Sequence, residues 1–320
     1  MTGLPDWPMG YLKTYGPRAD PATALLWGLM ILSLAVVVII TVLAVTGVLV
    51  RRHRGSVDQI GALPAERGAA GLVWFLVGMP LTIVALIGAL VWTVAVLAAV
   101  DSPAVPPRLT IEVTGHQWWW EARYLDGAAG DTFTTANELH IPTGEPVRIR
   151  LIGADVIHSF WLPGLGGKTD VIPGQTNLAW LQTDRPGVYL GQCAEYCGVQ
   201  HAHMALRVVA QPPAAFANWQ RAQLAPAAGG AQMAGEALFT AHCGACHTVR
   251  GSDAGGIVGP DLTHLMSRAT IAAGTVPNTP GALSGWIANP QALKPGARMP
   301  ATYLSGPQLS DTVAYLETLK

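Results

Sequence analysis

The stretch Gly191–Met204 reads GQCAEYCGVQHAHM and sets Cys193 and Cys197 four positions apart, with His201 four residues later and Met204 three after that. Two thiolates, an imidazole and a thioether this close together make a soft donor set, of the kind that selects copper over calcium, magnesium or manganese. An upstream histidine, His158 in ADVIHSFWLPG, would complete a site for two coppers bridged by the two sulfurs. Other uses of these residues leave something over. A disulfide between the cysteines leaves the His and Met spacings unexplained. A tetrahedral zinc site on Cys193, Cys197, His201 and His158 has no use for Met204. A mononuclear blue-copper site has no use for the second cysteine. A rigid double-thiolate core rearranges little on reduction, which suits electron transfer better than substrate chemistry.

A second metal signal lies near the other end of the chain. Cys243, Cys246 and His247 spell CGACH, the attachment pattern of a c-type haem. At this spacing each thiol can form a thioether to one haem vinyl group while the adjacent imidazole reaches the iron. A redox dithiol shares the C-x-x-C half of the pattern. The surroundings favour haem: Gly259-Pro260-Asp261-Leu262 follows, then Ala297-Arg298-Met299-Pro300, then a stretch with helical character from Ser305 to Lys320. His242 and His264 flank this region and read as solvated or packed side chains.

The chain has 320 residues, a formal net charge of −1, only 12% charged residues and 50% hydrophobic ones. Its mean hydropathy is +0.34, too apolar for an ordinary soluble protein and too polar for a pure membrane bundle. No basic bias suggests nucleic acid, and the 11 tryptophans suit membrane interfaces. Two uncharged stretches, Ala22–Val50 and Gly68–Val100, account for the apolarity. About 20 apolar residues span a bilayer core, so each suffices. The second exceeds that length and contains Pro80, which predicts a kink, a tilt or an extension beyond the lipid. Arg51, Arg52, Arg54 and Arg67 outnumber Asp58 and Glu66 in the intervening loop, and positive charge marks the cytoplasmic side. The N-terminal segment and everything after about Val100 are then expected to face outward, where a copper thiolate site and a covalent haem both belong.

Beyond Pro107 the pattern changes. Leu109–Thr114, Val147–Leu151 and Met204–Val209 alternate apolar and polar residues, separated by turns such as Pro163-Gly164 and Pro173-Gly174. Such runs predict a β-sandwich or barrel. Gln211–Gln232 is rich in Ala and Pro with Gly229-Gly230, and reads as a linker with a short helix around Ala214–Leu224. A flexible chain of that length spans roughly 25 Å and would hold the last domain at an effective concentration on the order of mM.

These motifs resemble, over nearly the whole chain, subunit II of caa-type haem–copper oxidases, in which a copper A domain carries a fused cytochrome c. The expected fold class is a multi-domain membrane protein. It comprises an outward segment over 1–21, a transmembrane helical hairpin over 22–100 with a cytoplasmic loop at about 51–67, an all-β cupredoxin-like sandwich over 107–210, a linker over 211–232, and an all-α class I cytochrome c domain over 233–320. The resemblance implies a dinuclear copper A held by His158, Cys193, the Glu195 carbonyl, Cys197, His201 and Met204. It implies a covalent haem c on Cys243 and Cys246 with axial His247 and Met299, and Pro260 accepting a hydrogen bond from His247; Met266 is the rival distal ligand. The Glu195 carboxylate would bind a magnesium ion shared with subunit I.

The run His116-Gln117-Trp118-Trp119-Trp120 is similar to the family's aromatic run, which more often has Tyr in the middle. By that likeness Trp118 passes electrons inward, while Trp119 and Trp120 read as core packing. Leu162–Gln175 would shape the contact with the catalytic subunit. One departure stands out: Gly71–Val77 lacks the glutamate that many relatives carry at the mouth of a proton channel, and Glu66 lies further upstream. The resemblance further implies partnership with oxidase subunits I and III, an upstream cytochrome c or quinol-oxidising complex as donor, membrane lipid, and a bacterial cell membrane with both metal domains on the periplasmic face. Electrons would pass from haem c to copper A and on to haem in subunit I, for oxygen reduction coupled to proton pumping. An electron-input subunit of a copper A-type nitric oxide reductase would use the same ligands. A membrane-anchored copper chaperone would lack Met204, the aromatic run and the cytochrome.

Overall fold

The computed structural model describes residues 9–54, 69–125, 132–227 and 233–320. Glu66, Arg67 and Asp58 of the expected cytoplasmic loop, and Gly229-Gly230 of the expected linker, lie outside the described residues.

The two uncharged stretches form helices α1 (Asp20–Arg54) and α2 (Ala69–Asp101), the latter with Pro80 inside it. Each contains 31 residues long and apolar enough to cross a membrane, or about 46 Å at 1.5 Å per residue. The central apolar stretch of neither helix is covered by the rest of the chain, which fits a membrane anchor and not the core of a soluble domain. Gly28 is required where the two pack: a Cβ there would stand 2.2 Å from the Trp92 ring.

The described residues of 9–20 and 103–320 form a separate compact unit. Its first part is a sandwich of two five-stranded sheets. Strands β1 (Leu109–His116), β2 (Trp119–Tyr124), β3 (Phe133–Ala136), β5 (Val147–Gly153) and β8 (Thr176–Leu181) make one sheet in the order β3-β2-β1-β5-β8. Strands β4 (Glu138–Pro142), β6 (His158–Trp161), β7 (Thr169–Val171), β9 (Gly187–Cys193) and β10 (Ala205–Gln211) make the other, in the order β4-β10-β9-β6-β7. The alternation seen in the sequence becomes burial: β1, β9 and β10 bury every second residue, so one face of each sheet meets the common core. The backbone N–H of Tyr15 donates to the Gly164 carbonyl at 2.8 Å and Arg18 donates to Thr169 at 3.0 Å, so the segment ahead of α1 is tied to the sandwich.

Helix α3 (Pro213–Leu224) differs from a flexible connector. Phe216 and Trp219 pack on the sandwich core, and Trp219 stacks on His140 with ring centroids 4.0 Å apart. The random-coil span expected from composition therefore does not apply to this part, because two aromatics on one helical face find an apolar edge to cover. The rest of the unit is helical: α4 (Met233–His242), α5 (Pro280–Ala288), α6 (Pro290–Leu293) and α7 (Gly306–Leu316). A capping box of Ser305 and Gln308 starts α7. Phe239 of α4 and Tyr315 of α7 are fully buried against each other in a second core.

Candidate metal and haem sites

The antiparallel pairing of β6 with β9 sets Phe160 opposite Cys193 and brings His158, at the head of β6, beside the end of β9. His158 Nδ1 lies 3.9 Å from Cys193 Sγ. The chain then loops back: Ala194 N–H donates to the Ser159 carbonyl at 2.9 Å, and Cys193 N–H to the Met204 carbonyl at 3.0 Å. This closure folds the second cysteine onto the first, with the two sulfurs 3.8 Å apart. Cys197 Sγ lies 3.6 Å from His201 Nδ1 and 3.8 Å from Met204 Sδ, and the Glu195 carbonyl is 3.3 Å from Cys193 Sγ. All six sequence-predicted copper ligands thus converge on one pair of sulfurs.

The chemistry of this donor set fits copper. A separation of 3.8 Å is no disulfide, and both cysteines are free and buried. Each sulfur has its own imidazole, His158 at Cys193 and His201 at Cys197, which suits two metals sharing two sulfurs better than one tetrahedral ion. Contact with Cys197 holds the Cys193 thiol far below its ordinary range, and contact with Cys193 raises Cys197. Two adjacent buried thiols resist ionising together unless a cation joins them. The Glu195 carboxylate is exposed and accepts from Tyr196 N–H at 3.0 Å, pointing away from the sulfurs its carbonyl approaches.

Two residues at this site, Asp155 and Gln117, were not singled out in the sequence. Asp155 Oδ1 lies 2.9 Å from His158 Nε2, fixing the ring so that Nδ1 faces Cys193. Burial alone would lower the His158 imidazole, but contact with Cys193 and Asp155 outweighs it and raises it. Gln117 Nε2 and Trp118 Nε1 both donate to the Cys197 carbonyl, at 2.7 and 2.9 Å. The i, i+3 spacing of Asp155 and His158 was the available signal, but it is too common to be singled out.

The second site follows from one helical turn. Beyond α4, His247 N–H donates to the Cys243 carbonyl at 3.0 Å, so Cys243, Cys246 and His247 share one side. All three line a cleft with about 1330 Å³ of space between its walls, open mouth included. His247 Nδ1 donates to the Pro260 carbonyl at 2.8 Å, which leaves Nε2 as the ligating nitrogen. Burial lowers the ring's basicity and keeps that lone pair free. Both Met299 and Met266 pack against the helical core, but of the two Met299 lines the cleft. His264 is bound at both ring nitrogens, to the carbonyls of Lys320 at 2.7 Å and Ala225 at 3.1 Å. Two thiols, one imidazole and one thioether around an apolar slot fit a c-type haem.

The cleft is not built from the helical domain alone. His116, Trp118 and Trp119 of the sandwich also line it. Trp120 is core, fully buried against Phe160. Trp119 departs from that expectation: it stacks flat on His116, centroids 4.4 Å apart, at the cleft wall. Both lie on β2, whose successive side chains alternate faces, so Trp119 faces away from the core that Trp120 enters.

Two family models match the sequence: the cytochrome c oxidase subunit II periplasmic domain over residues 128–211, and cytochrome c over residues 232–320. A cytochrome c oxidase subunit 2 from Alkalihalophilus pseudofirmus is 32% identical over 319 residues, covering 97% of this chain and 90% of the relative. Another, from Bacillus sp. strain PS3, is 31% identical over 288 residues, covering 84% and 80%. The crystal structure of the periplasmic domain of cytochrome oxidase subunit II from Bradyrhizobium japonicum is similar at 32% identity, covering 38% of this chain and 96% of that one with a TM-score of 0.35. Since the likeness to subunit 2 runs through the anchor, the copper-type loop and the CGACH motif alike, the chain belongs to the cytochrome c oxidase subunit II family, in the form that carries a cytochrome c domain.

Proposed function

We propose that this chain takes in electrons at its C-terminal helical domain and hands them through its copper-type site to haem in oxidase subunit I, for oxygen reduction coupled to proton pumping. When bound, a covalent haem c and a dinuclear copper A would supply one-electron redox chemistry. Cys243 and Cys246 would hold the haem covalently, and His247, oriented by Pro260, and Met299 would ligate its iron. An imidazole and a thioether together would leave no ligand position for oxygen and would raise the potential. His158, Cys193, Cys197, His201, Met204 and the Glu195 carbonyl hold copper, while the outward Glu195 carboxylate suits a hard cation, magnesium, at the subunit I interface. Trp118 carries the electron between the sites, its Nε1–H bonded to the Cys197 carbonyl.

The observation that carries this reading is the shared cleft, one wall bearing Cys243, Cys246, His247 and Met299 and another bearing His116, Trp118 and Trp119. Two apolar helices anchor the chain in the bacterial cell membrane, with both metal domains on the periplasmic face. Subunits I and III are its membrane partners, and a cytochrome c or a quinol-oxidising complex is the donor. The test is kinetic and analytical. The purified oxidase should contain two coppers at this site per haem c, and flash reduction of the haem should be followed by copper reduction within the same chain. Trp118→Leu should slow that transfer with both absorption spectra intact. A single copper, zinc in the site, or an unchanged rate in the variant would count against the reading.

A further inference from the structure

The helical domain rests on the sandwich through a polar, specific contact centred on one buried lysine. Lys294 follows α6, is 3% exposed, and crosses from the helical domain to the copper-type site. Its Nζ lies 2.6 Å from the Trp118 carbonyl, 2.8 Å from the His203 carbonyl and 3.2 Å from the Ala272 carbonyl. Among the described residues its hydrogen-bond partners are these three oxygens, one for each N–H of an ammonium. Burial pushes that ammonium down to about 7. A buried cation without a carboxylate is costly, and plain packing between two tethered domains does not need one.

The three carbonyls explain its place. Trp118 is the residue whose indole bonds to the Cys197 carbonyl. His203 lies between His201 and Met204 in the copper-type loop. Ala272 belongs to the helical domain, in a turn where Ala272 and Ala273 both have positive φ, 54° and 58°, a conformation that residues with a Cβ rarely take. That turn earns its strain at the contact: the Ala273 carbonyl accepts from Ala205 N–H at 3.1 Å, directly after Met204. Next to Lys294, the Pro295 carbonyl accepts from Gln200 Nε2 at 2.8 Å. Gly296, with φ 87°, fits against the Trp118 indole, where a Cβ would stand 3.5 Å from the ring and 3.3 Å from Val199. Apart from the Lys294–Ala272 bond inside the helical domain, these contacts fall on the aromatic run, on the loop that carries the candidate copper ligands, or on Ala205 directly after it.

We propose that Lys294 is a positioning residue for the haem-to-copper step: it locks the helical domain on the sandwich in the electron-transferring pose and clamps the Trp118 backbone to the copper-type loop. This rests on the reading of the chain as a haem-to-copper relay. Without the clamp, the tether still keeps the domains together, but each electron has to wait for a productive encounter.

The experiment uses the assembled oxidase, with the haem reduced by a flash-excited ruthenium complex. In the wild type, transfer should be fast and independent of solvent viscosity, because the domain is already seated. Lys294→Met keeps the length of the side chain and removes its donors. It should slow transfer roughly tenfold or more and make the rate fall as glycerol is added, with haem and copper spectra and copper content unchanged. A loss of general stability would not create a viscosity dependence in a protein with intact cofactors. As a readout that needs no variant, acetic anhydride should leave Lys294 unmodified while the exposed Lys320 reacts. A Lys294→Met oxidase with a wild-type, viscosity-independent rate would overturn the proposal, as would acetylation of Lys294 at the pace of Lys320. Absence of haem-to-copper transfer in the wild type would instead overturn the relay reading itself.

Discussion

Asp155→Asn probes how strictly the His158 ring must be held. Asp155 is a partly buried carboxylate with two loaded oxygens: Oδ1 faces His158 Nε2 at 2.9 Å and accepts from Val156 N–H at 2.8 Å, while Oδ2 accepts from Gln117 N–H at 2.8 Å and lies 3.6 Å from Arg298. Asparagine has the same shape but only one acceptor oxygen. If that oxygen keeps His158, the amide nitrogen meets the Gln117 N–H, donor against donor. If it turns to keep Gln117, the amide meets two donors instead. A hydrogen bond to a charged group is worth about 1.5–3 kcal/mol, and the Arg298 contribution is negligible because that side chain is mostly exposed. A loss of about 2 kcal/mol corresponds to roughly thirtyfold weaker copper binding, inside the range of roughly 10–100-fold for partners that orient metal ligands. Competition with graded copper chelators on the full chain, with copper counted per haem iron, measures it, and copper electron paramagnetic resonance reports the ring's orientation. Wild-type copper affinity together with a wild-type spectrum would refute the reasoning, and would mean that the β6 backbone alone sets the ring.

Met299→Ala should leave the haem attached through Cys243 and Cys246, let its iron bind carbon monoxide and lower its potential; Met266→Ala should cost roughly 2 kcal/mol of stability and bind no carbon monoxide. Glu195→Gln should keep the copper spectrum, since the carbonyl survives, and weaken manganese binding at the subunit I interface as followed by electron paramagnetic resonance. Glu138 is buried in the sandwich, yet its Oε2 accepts from Ala269 N–H of the helical domain at 3.1 Å, with Arg207 at 3.6 Å and His140 at 3.3 Å. Burial would raise this carboxyl, but the His140 contact and the Ala269 N–H outweigh it and hold it below its ordinary range. Its stabilisation is therefore present above roughly pH 4 and lost as the pH falls through the lowered value. Urea unfolding of the full chain should show an acid-side loss of stability that Glu138→Gln abolishes, while Glu138→Gln is already weaker at pH 7.

Much of this was legible along the chain because the features are local or periodic. Cys193, Cys197, His201 and Met204 sit on one loop between adjacent strands, so their sequence spacing is nearly their spatial spacing. CGACH closes within a helical turn. The alternation of Leu109–Thr114 and the uncharged run of Ala22–Val50 each betray their environment residue by residue. Asp155 escaped notice because an acid three before a histidine is unremarkable until the strand shows where both point. Trp119 was misjudged because it was read together with Trp120 as core, whereas neighbouring residues of a strand face opposite ways and only Trp120 enters the sandwich. The short helix around Ala214–Leu224 was legible, but its docking was not, because Ala and Pro content says nothing of Phe216 and Trp219 finding an edge to cover.

By itself, then, the amino-acid sequence determined the parts: two helices apolar enough for a membrane, a β-sandwich with a soft-ligand loop, and a helical domain with a haem-attachment motif. Each depends on contacts within a few residues or on a simple repeat. The relation between the two metal sites was decided only by tertiary structure. Lys294 reaches the Trp118 carbonyl across 176 positions of chain, and nothing in its neighbours Leu293 and Pro295 marks it as anything but a surface lysine. Its burial, the left-handed turn at Ala272–Ala273 and the close fit of Gly296 acquire meaning only when the helical domain is seated on the sandwich. Contacts between distant segments leave no period in sequence, because each partner is chosen by the surface it meets and not by its neighbours in the chain.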